Sequence, residues 1–118
     1  VLTRYQDATG TPVTVFFDAR NRRGPAPPRD PAAIEVLYSE PGQTADALIE
    51  RVAARLVAWG EVLVVTEDVA ERQTVEAFGA WTWSCQEFIR HLRSTLEEQR
   101  TRLEQLNRRD QARFRNRR

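Results

Sequence analysis

Val62-Leu63-Val64-Val65-Thr66-Glu67-Asp68 (62–68) is an apolar, β-branched run that stops on two acids, and a helical pattern starts directly after it at Val69. A run of this length and composition, bounded by polar residues, reads as a short buried strand. The same grammar occurs twice upstream. Val13-Thr14-Val15-Phe16-Phe17 stops on Asp18, and Ile34-Glu35-Val36-Leu37-Tyr38 runs into the turn Ser39-Glu40-Pro41-Gly42, after which Asp46 falls in the first turn of a helix. If these strands are parallel, Asp18, Asp46 and Asp68 gather at one sheet edge, the edge where open α/β sheets bind ligands.

Working outward, Leu2 to Ala8 reads as a helix stopped by Gly10, with Pro12 just beyond. The segment 21–31 carries four prolines, which remove donors and fix φ, so it reads as a surface loop beside Asp18. A helix from about Gln43 to Ala58 has the apolar stripe Ala45, Leu48, Ile49, Val52, Leu56. Val69 to Phe78 forms the next helix, closed by Gly79, and Ala80 to Trp83 a short strand. The last helix opens at Ser84 with Glu87 three residues on, and carries Phe88, Ile89, Leu92, Leu96, Leu103 and Leu106. Strands alternating with helices predict a three-layer α/β/α sandwich around a mainly parallel sheet.

At 118 residues the chain is one domain's worth. No stretch nears the ~20 apolar residues of a membrane span, and the start lacks a basic-then-apolar signal pattern, which points to a cytoplasmic protein unless a leader has been removed. The absence of methionine suggests that the sequence begins inside a longer reading frame. Cys85 is the single cysteine, which excludes an intrachain disulfide and a cysteine-based zinc site, and the single His91 argues against His-rich metal chemistry and a Ser-His-Asp triad; both residues read as packing or surface positions. No Gly-x-Gly-x-x-Gly follows any strand, which argues against a nucleotide cofactor. Every basic residue is arginine, and eight of them (Arg100, Arg102, Arg108, Arg109, Arg113, Arg115, Arg117, Arg118) lie in residues 100–118 against Glu104 and Asp110. A tail of net charge +6 on a body of −5 points to a polyanion such as RNA.

Each acid also has a local explanation. Asp18 can start a turn, Asp46 can complement the positive end of its helix, and Asp68 can be an N-cap with Glu71 completing an Asp-x-x-Glu box. Three at one edge concentrate charge, which costs stability unless a cation is bound, and an all-oxygen set suits Mg²⁺ or Mn²⁺. Glu50, one turn after Asp46, is within reach, but the helical wheel puts it further toward solvent, so Asp46 is the better ligand candidate. Thr44 reads as a helix cap. Trp81 and Trp83 read as packing residues before base-stacking ones. Arg20, Arg22 and Arg23, on the loop after Asp18, suit phosphate contacts.

Four segments, Tyr-Gln-Asp-Ala-Thr-Gly-Thr-Pro-Val-Thr-Val-Phe-Phe-Asp-Ala (5–19), Thr-Ala-Asp-Ala-Leu-Ile-Glu (44–50), Val-Val-Thr-Glu-Asp-Val-Ala-Glu-Arg-Gln (64–73) and Gly-Ala-Trp-Thr-Trp-Ser-Cys-Gln-Glu-Phe (79–88), closely resemble the YacP-like branch of the NYN domains, within the PIN-like superfamily of metal-dependent ribonucleases. The resemblance covers residues 1 to about 98 and leaves 99–118 as an arginine-rich, helical or disordered tail. It implies an endoribonuclease whose acids hold Mg²⁺ or Mn²⁺, with ribosome-associated mRNA decay as the setting. The family's acids fall on Asp18, Asp46 and Asp68, with Glu50 completing the second motif. Two departures stand out: Glu67 replaces the usual serine before Asp68, and the family's opening strand with its Asp-Gly-Tyr-Asn motif has no counterpart.

The expected function is thus a metal-dependent endoribonuclease domain; the alternative is a non-catalytic RNA-binding or interaction module that keeps the fold. Without the opening strand, the 118 residues alone are expected to be inactive. The tail yields a direct test. Deleting residues 100–118 should weaken RNA binding and flatten the slope of log affinity against log salt, because fewer counterions are released; equal slopes would assign the tail another role.

Overall fold

The computed structural model describes residues 1–18 and 34–115. Its elements run α1 (Leu2–Thr9), β1 (Thr14–Phe17), β2 (Glu35–Tyr38), α2 (Ala45–Leu56), β3 (Leu63–Val65), α3 (Val69–Ala77), β4 (Trp81–Trp83) and α4 (Cys85–Arg115). This is the expected α/β architecture with parallel strands and a C-terminal helix. Among the described residues the strands pair two by two. β1 pairs with β2 from Thr14↔Glu35 to Phe17↔Tyr38, and β3 with β4 from Leu63↔Trp81 to Val65↔Trp83, both parallel. No ladder joins β1 to β3 among these residues. The joint between the two sheets is therefore helical: α2 packs on β1 and on α3, and α3 packs on β4.

Local chemistry sets the boundaries. α1 stops at Gly10, whose φ of 70° lies in the left-handed region that glycine enters without a Cβ clash. Thr44 caps α2 by accepting from the Ala47 N–H at 3.1 Å. Ser84 does the same for α4 from the Glu87 N–H at 3.1 Å. α3 ends at Phe78, and Gly79 (φ 99°) turns the chain back into β4.

The core sits on the α2–α3–β3 side and is small: Ala53, Val64, Val75 and Ala80 are buried, with Ile49, Val57 and Val62 packed around them. The inward stripe of α2 is thus Ile49, Ala53 and Val57, and Leu56, expected inside, is exposed. A second cluster ties α1 to α4. The Tyr5 hydroxyl hydrogen-bonds His91 Nε2 at 2.8 Å, and Phe88 and Trp83 stack edge-on or tilted around the same imidazole. His91 and Trp83 are therefore packing residues, as expected, whereas Trp81 is exposed. From Thr101 to Arg113 α4 is solvent-exposed, including Leu103 and Leu106, and its Arg100 pairs with Glu97 and Glu104 are surface pairs worth little. Among the described residues no helix is long and apolar enough to cross a membrane.

Val75 has no exposed surface and lies in the middle of the core. Val75→Ala should lower unfolding stability by about 2 kcal/mol, combining lost transfer energy and a residual cavity. Urea denaturation checks this, with a reduced midpoint and an unchanged slope as the expected result.

Candidate functional site

The strand-end acids do not project freely into solvent; each holds a helix. Asp18, directly after β1, accepts the Ala45 N–H through Oδ1 at 2.6 Å, at the start of α2. Asp68, two residues after Thr66, accepts the Ala70 and Glu71 N–H groups through Oδ1 at 2.9 and 3.2 Å, at the start of α3. Glu67 accepts the Cys85 N–H at 2.7 Å, at the start of α4. The first turn of a helix has unsatisfied N–H groups and the positive end of the macrodipole, so a carboxylate there is doubly favoured. Glu67, which reads from sequence as an added charge near the site, is thus taken up by α4.

Asp46 lies in the first turn of α2, with its carboxyl in the combined field of the other acids. Partial desolvation, then the charges of Asp68, Asp18 and Glu50, raise its pKa above the ordinary value. Asp18, Asp46, Glu50 and Asp68 are therefore electrostatic neighbours along the seam between α2 and α3. The order of exposure expected from the helical wheel is reversed: Asp46 is exposed and Glu50 is half-buried. The wheel took Leu56 as part of the inward stripe, and the true stripe through Ile49, Ala53 and Val57 turns Glu50 toward α3.

The residue missed by sequence is Glu71. It is only 3% exposed. Burial, a side-chain hydrogen bond with Glu50, and the charges of Asp46, Glu50 and Asp68 push its pKa up to about 7. Its Oε1 has no hydrogen-bond partner among the described residues. A signal was present: Glu71 stands one helical turn before Val75, on the inward face of α3, where an acid is out of place.

Cys85 keeps its thiol protonated more firmly than a free cysteine. Burial, then the hydrogen bond and charge of Glu67, hold its thiol above the usual range, against a smaller opposing effect of Arg72. An open groove of about 680 Å³, lined by residues of the β2–α2 turn and the outer face of α2 including Tyr38, Gln43 and Arg51, contains none of these acids. Arg108, Arg109 and Arg113 are exposed on α4, and Arg115 is its last residue. Arg20, Arg22 and Arg23, with the proline-rich loop, lie outside the described residues.

Whether the acids suit a metal can be judged from their chemistry. The donor set is all oxygen, it is net negative, and it includes a buried carboxylate oxygen without a partner, which fits a hard divalent cation. Among the described residues no three His, Cys, Asp or Glu side chains are already arranged to hold one. Binding therefore requires side chains on α2 and α3 to close inward.

A parallel α/β domain with acids at its strand ends and helix starts is the PIN-like arrangement. The YacP-like NYN domain family matches the chain over residues 1–118, and the chain belongs to that family. It is 31% identical over 93 residues to the uncharacterized protein YacP of Bacillus subtilis (strain 168), a stretch covering 77% of this chain and 54% of the relative. The chain thus spans about half the length of that curated relative. In structure it is similar to Rae1 (YacP) from Bacillus subtilis, with a TM-score of 0.76 and 26% identity over 94% of this chain and 64% of that one. Against the W164L mutant of the same protein the TM-score is 0.72, with 27% identity over 90% and 62% of the two chains. NYN domains are nuclease-type, RNA-related domains.

The raised Glu71 pKa fixes a pH dependence. Between 4.5 and about 7 the folded state holds a proton that the unfolded chain has released. Its stabilising contribution is therefore full below 4.5 and is lost as pH rises through about 7. Denaturation without divalent ions should show stability falling across this window, by on the order of 2–3 kcal/mol. Glu71→Gln should flatten most of that fall, with Asp46 contributing a remainder of the same sign.

Proposed function

We propose that this domain is part of a metal-dependent endoribonuclease that cuts RNA in the cytoplasm, as an mRNA-decay factor acting on free or ribosome-bound RNA. The observation that carries the reading is the charge coupling of Asp46 to Asp68, Asp18 and Glu50, acids contributed by two strand ends and one helix. Asp18, Asp46, Asp68 and Glu50 would hold Mg²⁺ or Mn²⁺. Such a cation, when bound, acidifies water and offsets the negative charge that builds on a phosphodiester under attack. The chain's own residues supply position. Asp18 and Asp68 are each fixed by helix N–H groups through Oδ1, which holds both carboxylates at the starts of α2 and α3. Asp46 and Glu50, one turn apart on α2, face the same seam. The exposed Arg108, Arg109 and Arg113 of α4, with Arg115 and the loop residues Arg20, Arg22 and Arg23, would bind phosphates and leave sequence unread.

The second reading, a non-catalytic RNA-binding module, is favoured by one observation: two of the three aspartates already serve as helix caps and no ready ligand set exists among the described residues. Cleavage assays separate the two. Expressed from its full native reading frame, the protein should cut single-stranded RNA with Mg²⁺ or Mn²⁺ and not in excess chelator. Asp46→Asn should reduce cutting at least ~100-fold, since even partners that only orient ligands cost 10–100-fold. RNA binding without cleavage under any divalent ion would select the module instead.

A further inference from the structure

Glu71 has a ready structural explanation, the capping box, and the structure removes it. In that box the glutamate accepts the backbone N–H of the N-cap residue, here Asp68. That N–H is already given to Thr66 Oγ1 at 3.2 Å. Glu71 instead turns inward. Its backbone is pinned by Asp68 Oδ1, and Val75, one turn later, is fully buried, so the side chain cannot swing to solvent without unpacking α3.

The charges that act on Glu71 there are those of other acids: Glu50, which also hydrogen-bonds it, Asp46 and Asp68. The adjacent Arg72 does not neutralise it, because its Nε donates to the Thr66 carbonyl at 2.9 Å. One carboxylate oxygen, Oε1, is left buried with no partner among the described residues. Such an atom is costly to bury, and a glutamine or an apolar side chain of similar volume would avoid the carboxylate repulsion. A buried, unpartnered acceptor on a side chain acted on by three other carboxylates, at a position where neutrality would be more stable, is suited to a cation.

We infer that Glu71 is a further ligand of the divalent cation at this site, that Oε1 is its donor atom, and that Glu50 orients it through the other oxygen. The inference rests on the metal-dependent reading above and adds α3 to the elements that supply ligands directly from their buried face. The cation so held is bound between α2 and α3, the two helices that join the sheets.

The test uses Mn²⁺ alone as the probe, on the full protein as encoded. Isothermal titration should show at least a ten-fold loss of Mn²⁺ affinity in Glu71→Gln, which keeps shape and can still hydrogen-bond Glu50. Circular dichroism should show the variant folded, with an unfolding midpoint at pH 7.5 no lower than wild type in chelator. A measurement on the unaltered protein needs no variant: in carboxyl-detected NMR, substoichiometric Mn²⁺ should broaden the Glu71 side-chain signal together with those of Asp46 and Asp68. Glu97 and Glu104 on α4 should stay sharp. Unchanged affinity in Glu71→Gln, or a sharp Glu71 signal beside broadened Asp46 and Asp68, overturns the inference while the metal-dependent reading stands. Glu71-dependent Mn²⁺ binding in a protein that cuts no RNA supports the inference and sinks the nuclease. Absence of any Mn²⁺ binding overturns both.

Discussion

Carboxylates at strand ends accepting helix N–H groups are the interaction on which this structure depends. Asp18 ties β1 to α2, Asp68 ties β3 to α3, and Glu67 ties the same strand end to α4. Each bond satisfies a donor that would otherwise be orphaned, and each sets a helix against its macrodipole in the favourable sense. With two separate pairs of strands and no ladder between them among the described residues, the helices must be held by something other than a continuous sheet. These bonds, together with the small core around Val75, provide it.

The same device gathers charge. Capping one helix after another from the ends of parallel strands brings the negative groups to one edge, and the seam between α2 and α3 adds Asp46, Glu50 and Glu71. The pKa values of Asp46 and Glu71 are raised, first by burial and then by the carboxylates around them. A fold stabilised only for its own sake would dilute this charge; Glu71, buried at 3% exposure beside Glu50, goes the other way. Stability is given up at the seam, where perturbed carboxyls cluster as they do at functional sites.

Much of this was legible from the sequence. The β-branched runs ending on Asp18 and Asp68, the turn at Pro41-Gly42 and the caps Thr44 and Ser84 all follow from local rules, and the elements fall within a residue or two of where those rules put them. What local rules cannot supply is the angle at which a helix meets its neighbours. The stripe of α2 was read one position off because Ala53 is small and Leu56 is large, yet it is Ala53 that lets α3 approach. That error turned Glu50 toward solvent. Glu71 was hidden differently, by an adequate local explanation: an Asp-x-x-Glu box accounts for it completely until Thr66 is seen to occupy the same N–H. The pairing of strands two by two depends on non-local contacts that no window of sequence contains.

The most direct test of the account is the anomalous difference map of crystals grown with MnCl₂ and measured at the manganese absorption edge. The account predicts a peak on the α2–α3 seam, coordinated by carboxylates from the set Asp18, Asp46, Glu50 and Asp68 together with Glu71. A map at saturating Mn²⁺ with no peak on that seam, or with the metal held elsewhere on the chain, would contradict it.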